Sequence, residues 1–328
     1  MRRWLISILC CIMPILFSVL YQARSSITRH LPSPSLIFGT TNTARMSSTF
    51  HHPQHKFPIT LPEGLTQETV LNFHPFTTWL KTLTHSLSLQ TTNPSHPFHT
   101  DPYAINSITI QSHDLFGTRL GFLKLQSRIT NSAGDFLPGA VFLRGPSVAM
   151  LVMLIPDDDD DADERYVLLT VQPRIAAGSL EFVELPAGMV DDAGTFAGAA
   201  AKEIQEELGL EIPASELTDL SRLASSSLGG LNGEGAEEGE AEGEGLASAV
   251  YPSPGACDEF IPIFMHERRV PRSQLKEWTG KLTGLREHGE RITLKLVRMQ
   301  DLWKEGGRDA KTLAAVALWE GLRREGKL

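Results

Sequence analysis

Cysteine is almost missing from this chain. Cys10, Cys11 and Cys257 are the only three in 328 residues, and the first two fall in the N-terminal leader. A single thiol in the body excludes a disulfide framework and a cysteine-built zinc site, and is compatible with a reducing compartment. An excess of basic residues is missing too: 30 Lys and Arg stand against 39 Asp and Glu, a formal net charge of -9. Seven of those acids crowd into residues 157–161, 163 and 164, and six more into GGLNGEGAEEGEAEGEG at 229–245. The two runs together exceed the imbalance, so the remainder is near neutral and presents no basic face for nucleic acid. Both have the composition of solvated, flexible loops.

Acids are absent altogether before Glu63. That segment holds Arg2, Arg3, Arg24, Arg29 and Arg45, many Ser and Thr, and the apolar run WLISILCCIMPILFSVLY at 4–21, interrupted by Pro14. Lack of acids with Arg and Ser enrichment suits a mitochondrial presequence, whereas the apolar run suits a signal peptide or membrane anchor. Translation from Met46 would leave the segment out. Residues 1–46 are therefore read as a leader, with a mitochondrial or cytoplasmic destination and membrane contact confined to 4–21.

What is present is a chain 41% hydrophobic, long enough for one large domain or two. PFTTWLKTLTHSL predicts an amphipathic helix near 76–87. SITIQSHDLFG (107–117) and RLGFLKLQSRIT (119–130) alternate with β periodicity on either side of Gly117 and read as a hairpin. AVFLRG, SVAMLVMLI (147–155) and RYVLLTVQ (165–172) follow as strands, and a turn at 176–178 leads into LEFVELP. Beyond a helix carrying Glu203, Glu206 and Glu207 come the loop YPSPGACDE (251–259), the strands FIPIFMHERRV and RITLKLVRM (291–299), and a closing amphipathic helix at 311–324. Strands bracketing a central helix, with another helix at the end, predict an α/β/α sandwich of roughly 170 residues around a mixed sheet, behind a smaller β-rich N-terminal part.

The chemistry concentrates in ELPAGMVDDAGTFAGAAAKEIQEELGL, residues 184–210. On an α-helix Glu203, Glu206 and Glu207 share a face, where like charges repel unless solvent or a cation neutralises them. The face is either solvated or a site for a hard cation such as Mg²⁺ or Mn²⁺, held jointly with substrate phosphates. The Pro-Ala-Gly turn before it and Gly209 as a helix stop favour the second, whose chemistry is metal-assisted hydrolysis of a phosphate ester or anhydride.

This stretch resembles the signature of the Nudix hydrolases, G-x5-E-x7-R-E-U-x-E-E-x-G-U, with U a bulky aliphatic residue. Gly188, Glu203, Ile204, Glu206, Glu207, Gly209 and Leu210 fall in register. Gly194 stands where the family has its first glutamate, with Asp191 and Asp192 nearby to replace it. Lys202 stands where the family has arginine, keeping the charge without the planar fork. LRGPSVAMLVML, VQPRIAAGSLEFVELPAGM, YPSPGACDE, GLREHGERI and DLFGTRLGFLKL are similar to the ADP-sugar diphosphatases of the ADP-ribose pyrophosphatase branch, especially the plant-type ADP-glucose pyrophosphatases. The likeness covers 61–328 apart from the Gly/Glu run. A proline that branch often carries sixteen residues past the signature falls here on Ser226.

The resemblance implies an α/β Nudix-type sandwich over 146–328 and a β-rich subdomain over 47–145, assembled as a homodimer. It implies Mg²⁺- or Mn²⁺-dependent cleavage of a nucleoside diphosphate sugar, ADP-ribose or ADP-glucose, to AMP and a sugar phosphate. Metal would lie at Glu203, Glu206, Glu207 and Gly188, with catalytic roles for Glu206, Glu207 and Glu259. Arg174 and Glu184 would contact substrate, and Lys202 and Gly209 would support the signature. Glu287, His288 and Glu290 are further candidates for the same site, while Cys257 has no indicated His partner and reads as a packing residue. Two alternatives stand beside this: a Nudix enzyme for another nucleotide, and a catalytically silent module binding nucleotide or protein, which Gly194 and Lys202 motivate.

Overall fold

A computed structural model describes residues 48–158, 164–190, 195–226, 243–284 and 291–328. Within it Arg45–Leu328 make one compact unit. The leader up to residue 47, Asp191, Asp192, Gly194, most of the Gly/Glu run, Glu287, His288 and Glu290 lie outside the described residues.

The N-terminal strands are β1 (Ser48–His51), β2 (Pro58–Leu61), β3 (Ala104–Phe116), β4 (Arg119–Thr130), β5 (Phe136–Leu137) and β6 (Ala140–Leu143). They form one sheet in the order β1-β2-β3-β4-β5, with β6 also beside β4. The β3–β4 hairpin turns at Gly117, whose φ of 64° is the left-handed conformation that glycine adopts without strain. The predicted helix runs further than expected, over His74–Thr92. Pro75 in its first turn starts it early, because proline is preorganised there and its missing N–H is not needed. At its far end the Gln90 amide is fastened to both backbone groups of Tyr103. Phe76 and Leu80 of this helix pack on Ile59, Ile108, Leu123 and Leu125.

The second sheet is built around β7 (Ser147–Pro156), which is buried at all ten positions. Such a continuous apolar run suits a strand covered on both faces. Its companions are β8 (Tyr166–Arg174), β9 (Ser179–Glu184), β10 (Ala187–Met189), β11 (Thr218–Asp219), β12 (Ile263–Val270), β13 (Leu282–Thr283) and β14 (Ile292–Arg298). The order is β11-β12-β7-β8-β14-β13, with β10 on β7 and β9 on β8. β12 is parallel to β7 and β8 antiparallel to it, so the sheet is mixed.

Side chains alternate along a strand, so β7 feeds two cores. Val148, Met150, Val152 and Leu154 pack with Ala200, Ile204 and Leu208 of the glutamate helix and with Trp278. Ala149, Leu151 and Met153 pack on the other side with Leu220, Leu302, Ala315 and Leu322. The expected α/β/α sandwich is what the chain forms. Among the described residues no helix is long and apolar enough to cross a membrane.

Candidate active site

Thr195 caps the helix Phe196–Glu203, its Oγ1 accepting the Gly198 N–H at 3.1 Å. A cap of this kind contributes about 1 kcal/mol. Beyond Glu203 the backbone widens into a π turn over Ile204–Leu208 and stops at Gly209, with φ 69°. π turns recur at functional sites. The turn changes the geometry expected from a continuous α-helix, for the three glutamates are not equivalent on one face. Glu207 is only 6% exposed, whereas Glu206 stays at the rim. Lys202 is exposed, with Nζ 3.8 Å from Glu206 Oε1. A long, exposed pair contributes little and does not reproduce a guanidinium fork.

Glu207 is held from two strands. Its Oε2 accepts the Ala187 N–H at 3.1 Å and its Oε1 accepts Gln172 Nε2 at 3.4 Å. Burial, and after it the neighbouring Glu203, push its pKa up to about 8 despite those hydrogen bonds. Glu203 lies directly over Gly188: a Cβ built there would stand 1.8 Å from the Glu203 Cδ and Oε1. A side chain at the glycine that opens the signature would therefore displace the Glu203 carboxylate.

A second group forms where the YPSPGACDE loop meets the start of β7. Glu259 Oε1 lies 2.7 Å from Arg144 Nη1 and accepts Ser147 Oγ at 2.8 Å. Arg144 Nη2 donates to the same Ser147 Oγ at 3.1 Å. Asp258 ties the loop down by accepting the backbone N–H of Arg144 at 2.8 Å and of Gly145 at 3.1 Å. In the β10–β7 register Met189 faces Ser147 and Gly188 faces Val148. The Glu259 group and the Gly188–Glu203 contact thus occupy neighbouring positions of one ladder. Arg144, Gly145, Met189 and Val190 line a cleft of ≈ 270 Å³ together with Phe73, His74, Phe116 and Arg119 from the N-terminal layer.

A third group surrounds Arg174. Its Nε lies 2.6 Å from Glu184 Oε1, and Lys311 Nζ lies 2.8 Å from Glu184 Oε2 and 2.9 Å from Asp309 Oδ1. Glu184 is 3% exposed with both oxygens committed, whereas the side chain of Arg174 that it holds is 41% exposed. Asp309 caps the last helix, Ala310–Arg324, and its Oδ2 also accepts the Leu185 N–H at 3.0 Å. The helix cap thereby anchors the turn that leads to Gly188.

Glu203, Glu207 and Gly188 come together along β10 with Glu184 close to Glu207 and holding Arg174, Glu259 sits on Ser147 at the start of β7, and Glu206 and Lys202 stand at the rim. Among the described residues no three carboxylate, imidazole or thiol side chains are gathered closely enough to enclose an ion by themselves. Burial pushes the half-buried Cys257 thiol up, which suits packing and not nucleophilic attack. Arg144, Ser147, Gln172, Asp309 and Lys311 escaped the sequence reading. Lys311 carried a signal, because a cation in the first turn of a helix opposes the helix dipole and needs an acid nearby. Arg144 carried none.

Residues 146–232 match the family model described as the NUDIX domain. Nudix hydrolase 14, chloroplastic, of Arabidopsis thaliana is 37% identical over 224 residues, which are 68% of this chain and 64% of that protein. The chain thus spans less than two thirds of that relative's length. A solved structure of an ADP compounds hydrolase aligns over 69% of this chain and 97% of its own, at 17% identity and a TM-score of 0.41.

Proposed function

We propose that this chain, whose residues 146–232 match the NUDIX domain, is a pyrophosphohydrolase that splits a nucleoside diphosphate sugar, ADP-ribose or ADP-glucose, with Mg²⁺ or Mn²⁺. The observation that carries the proposal is the Glu203 carboxylate seated on Gly188 beside the buried Glu207. Two crowded carboxylates in a desolvated position suit a hard divalent cation, which offsets their repulsion. Glu203, Glu206 and Glu207, with the Gly188 carbonyl, would hold it, and substrate phosphates and water would complete the coordination. A metal held there would supply Lewis-acid polarisation of the phosphoryl oxygens and a lowered pKa for bound water.

The chain's own residues do the rest. Arg174, oriented by Glu184, pairs with a phosphate. Glu259 accepts the proton of the attacking water, whose oxygen bonds to phosphorus as the P–O–P bridge breaks. AMP and the sugar phosphate leave. Phe73 and Phe116 supply aromatic walls for a base, and Arg119 and Arg144 cationic ones for phosphate, which supports a nucleotide in the cleft.

The test is AMP release from ADP-ribose and ADP-glucose with Mg²⁺, run beside dinucleoside polyphosphates and NADH. The wild type releases AMP from an ADP-sugar and Glu206→Gln releases little. Nucleotide binding without any hydrolysis would identify a silent module instead. Gly188→Ala is expected to lower kcat/KM on the order of 10²-fold through displacement of the Glu203 carboxylate, with the circular dichroism spectrum unchanged. Undiminished activity would sink that role for the contact.

A homodimer built through the N-terminal sheet is proposed from its exposed apolar residues outside the cleft, Leu115 at 54% and Phe136 at 75%. Light scattering reads it directly. The acid-free segment before Glu63, together with the relative's chloroplastic designation, supports an organellar destination.

A further inference from the structure

We propose that Arg144 is a phosphate-responsive latch on Glu259: its guanidinium holds the carboxylate until a substrate phosphate in the cleft takes it over, and Glu259 is then released. The proposal rests on the reading of Glu259 as the proton acceptor. Arg144 belongs to both places, pairing with Glu259 at 2.7 Å while lining the cleft with a side chain still 28% exposed. A guanidinium carries five N–H donors in a planar fork that matches carboxylate and phosphate alike. Here Nη1 serves Glu259 and Nη2 serves Ser147, but Nε is buried with no hydrogen-bond partner among the described residues. A buried unpaired donor is uncommon in a folded protein and points to a ligand that uses it.

The surroundings allow the exchange at little structural cost. The backbone of Arg144 and Gly145 is pinned by the Asp258 carboxylate, so only the side chain has to turn. Ser147 Oγ donates to Glu259 Oε1 independently of the ion pair. When the guanidinium leaves, Glu259 keeps that hydrogen bond and its place while losing its countercharge. Occupancy of the cleft is thereby coupled to availability of the base, and Arg144 acts as a positioning residue for Glu259 as well as a phosphate contact.

The test is calorimetric binding of inorganic pyrophosphate to the full chain without metal, in a cycle of wild type, Glu259→Gln, Arg144→Ala and the double variant. Removing the competing carboxylate is expected to tighten binding about tenfold, and removing Arg144 to weaken it about tenfold, as charge-assisted contacts do. In the double variant the gain from Glu259→Gln disappears. Unchanged affinity in Glu259→Gln, a gain that persists without Arg144, or no binding by any of the four overturns the latch. If thermal melts show that Arg144→Ala does not fold, Arg144→Lys takes its place in the cycle, since it keeps the charge and loses the fork. Binding is read without turnover, so a flat cycle in a protein that releases AMP overturns the latch alone. An intact cycle in one that does not hydrolyse overturns only the assignment of the reaction.

Discussion

Glu207→Gln is expected to lower kcat for AMP release by about 10³-fold, the scale for loss of a preorganised charged group at a reacting centre. The same variant should make the metal-free protein more stable in alkali. The sign follows from the direction of the shift. Glu207 has a folded pKa of about 8 against an ordinary 4.5, raised by burial first and by Glu203 next. Between those values the folded state binds more protons than the unfolded state, so stability falls as pH rises. Its contribution is fully present below pH 4.5 and lost as pH passes 8.

Glutamine does not titrate, and removes this slope. Its single carbonyl accepts from only one of Ala187 N and Gln172 Nε2, which forfeits about 1 kcal/mol. The net gain at pH 9 is then on the order of 3 kcal/mol. Urea unfolding in EDTA at pH 5 and pH 9 measures it. Parallel pH slopes in wild type and variant would refute a buried, destabilised carboxylate, whereas full activity would refute its catalytic role.

Lys311→Met is expected to cost about 3–5 kcal/mol at neutral pH, because breaking one side of a buried ion network leaves charges unpaired. Glu184 would keep Arg174 alone, and Asp309 would lose its countercharge while still capping its helix. Burial pulls the Lys311 pKa down, but Glu184 and Asp309 together outweigh it and the net shift is upward. A raised lysine contributes stability that is present below its ordinary value of 10.5 and lost above it. The wild type should therefore weaken only in strong alkali.

Pairing Lys311→Met with Glu184→Gln should recover much of the loss, since contacting residues are not additive. Chemical denaturation of the two single variants and the double variant reads the coupling. A loss under about 1 kcal/mol for Lys311→Met would place the network with ordinary surface pairs, which contribute that little.

Much of this architecture is legible in local pattern. SVAMLVMLI announced an apolar strand, and it is the strand that divides the two cores. The alternating run after Arg119 ends at Thr130, as expected, because period two and the Gly117 turn are properties of neighbouring residues. The glutamates, Gly188 and Gly209 stood out for the same reason.

Other features depend on partners far away in the chain. Ser147 and Glu259 are 112 residues apart and Glu184 and Lys311 are 127 apart. No periodicity joins such pairs. The α-to-π transition after Glu203 likewise escaped helical spacing, and both Ile204 and Leu208 at its ends are buried in the core shared with the sheet.

By itself the sequence determined that three acids share one helix and that glycines open and close the motif, because spacing along a chain controls which residues lie on a local turn. Only the tertiary structure decided that Glu207 is the buried acid, that Glu203 rests on Gly188, and that Arg144 faces Glu259. Desolvation and charge pairing act through space, and sheet register brings those groups together.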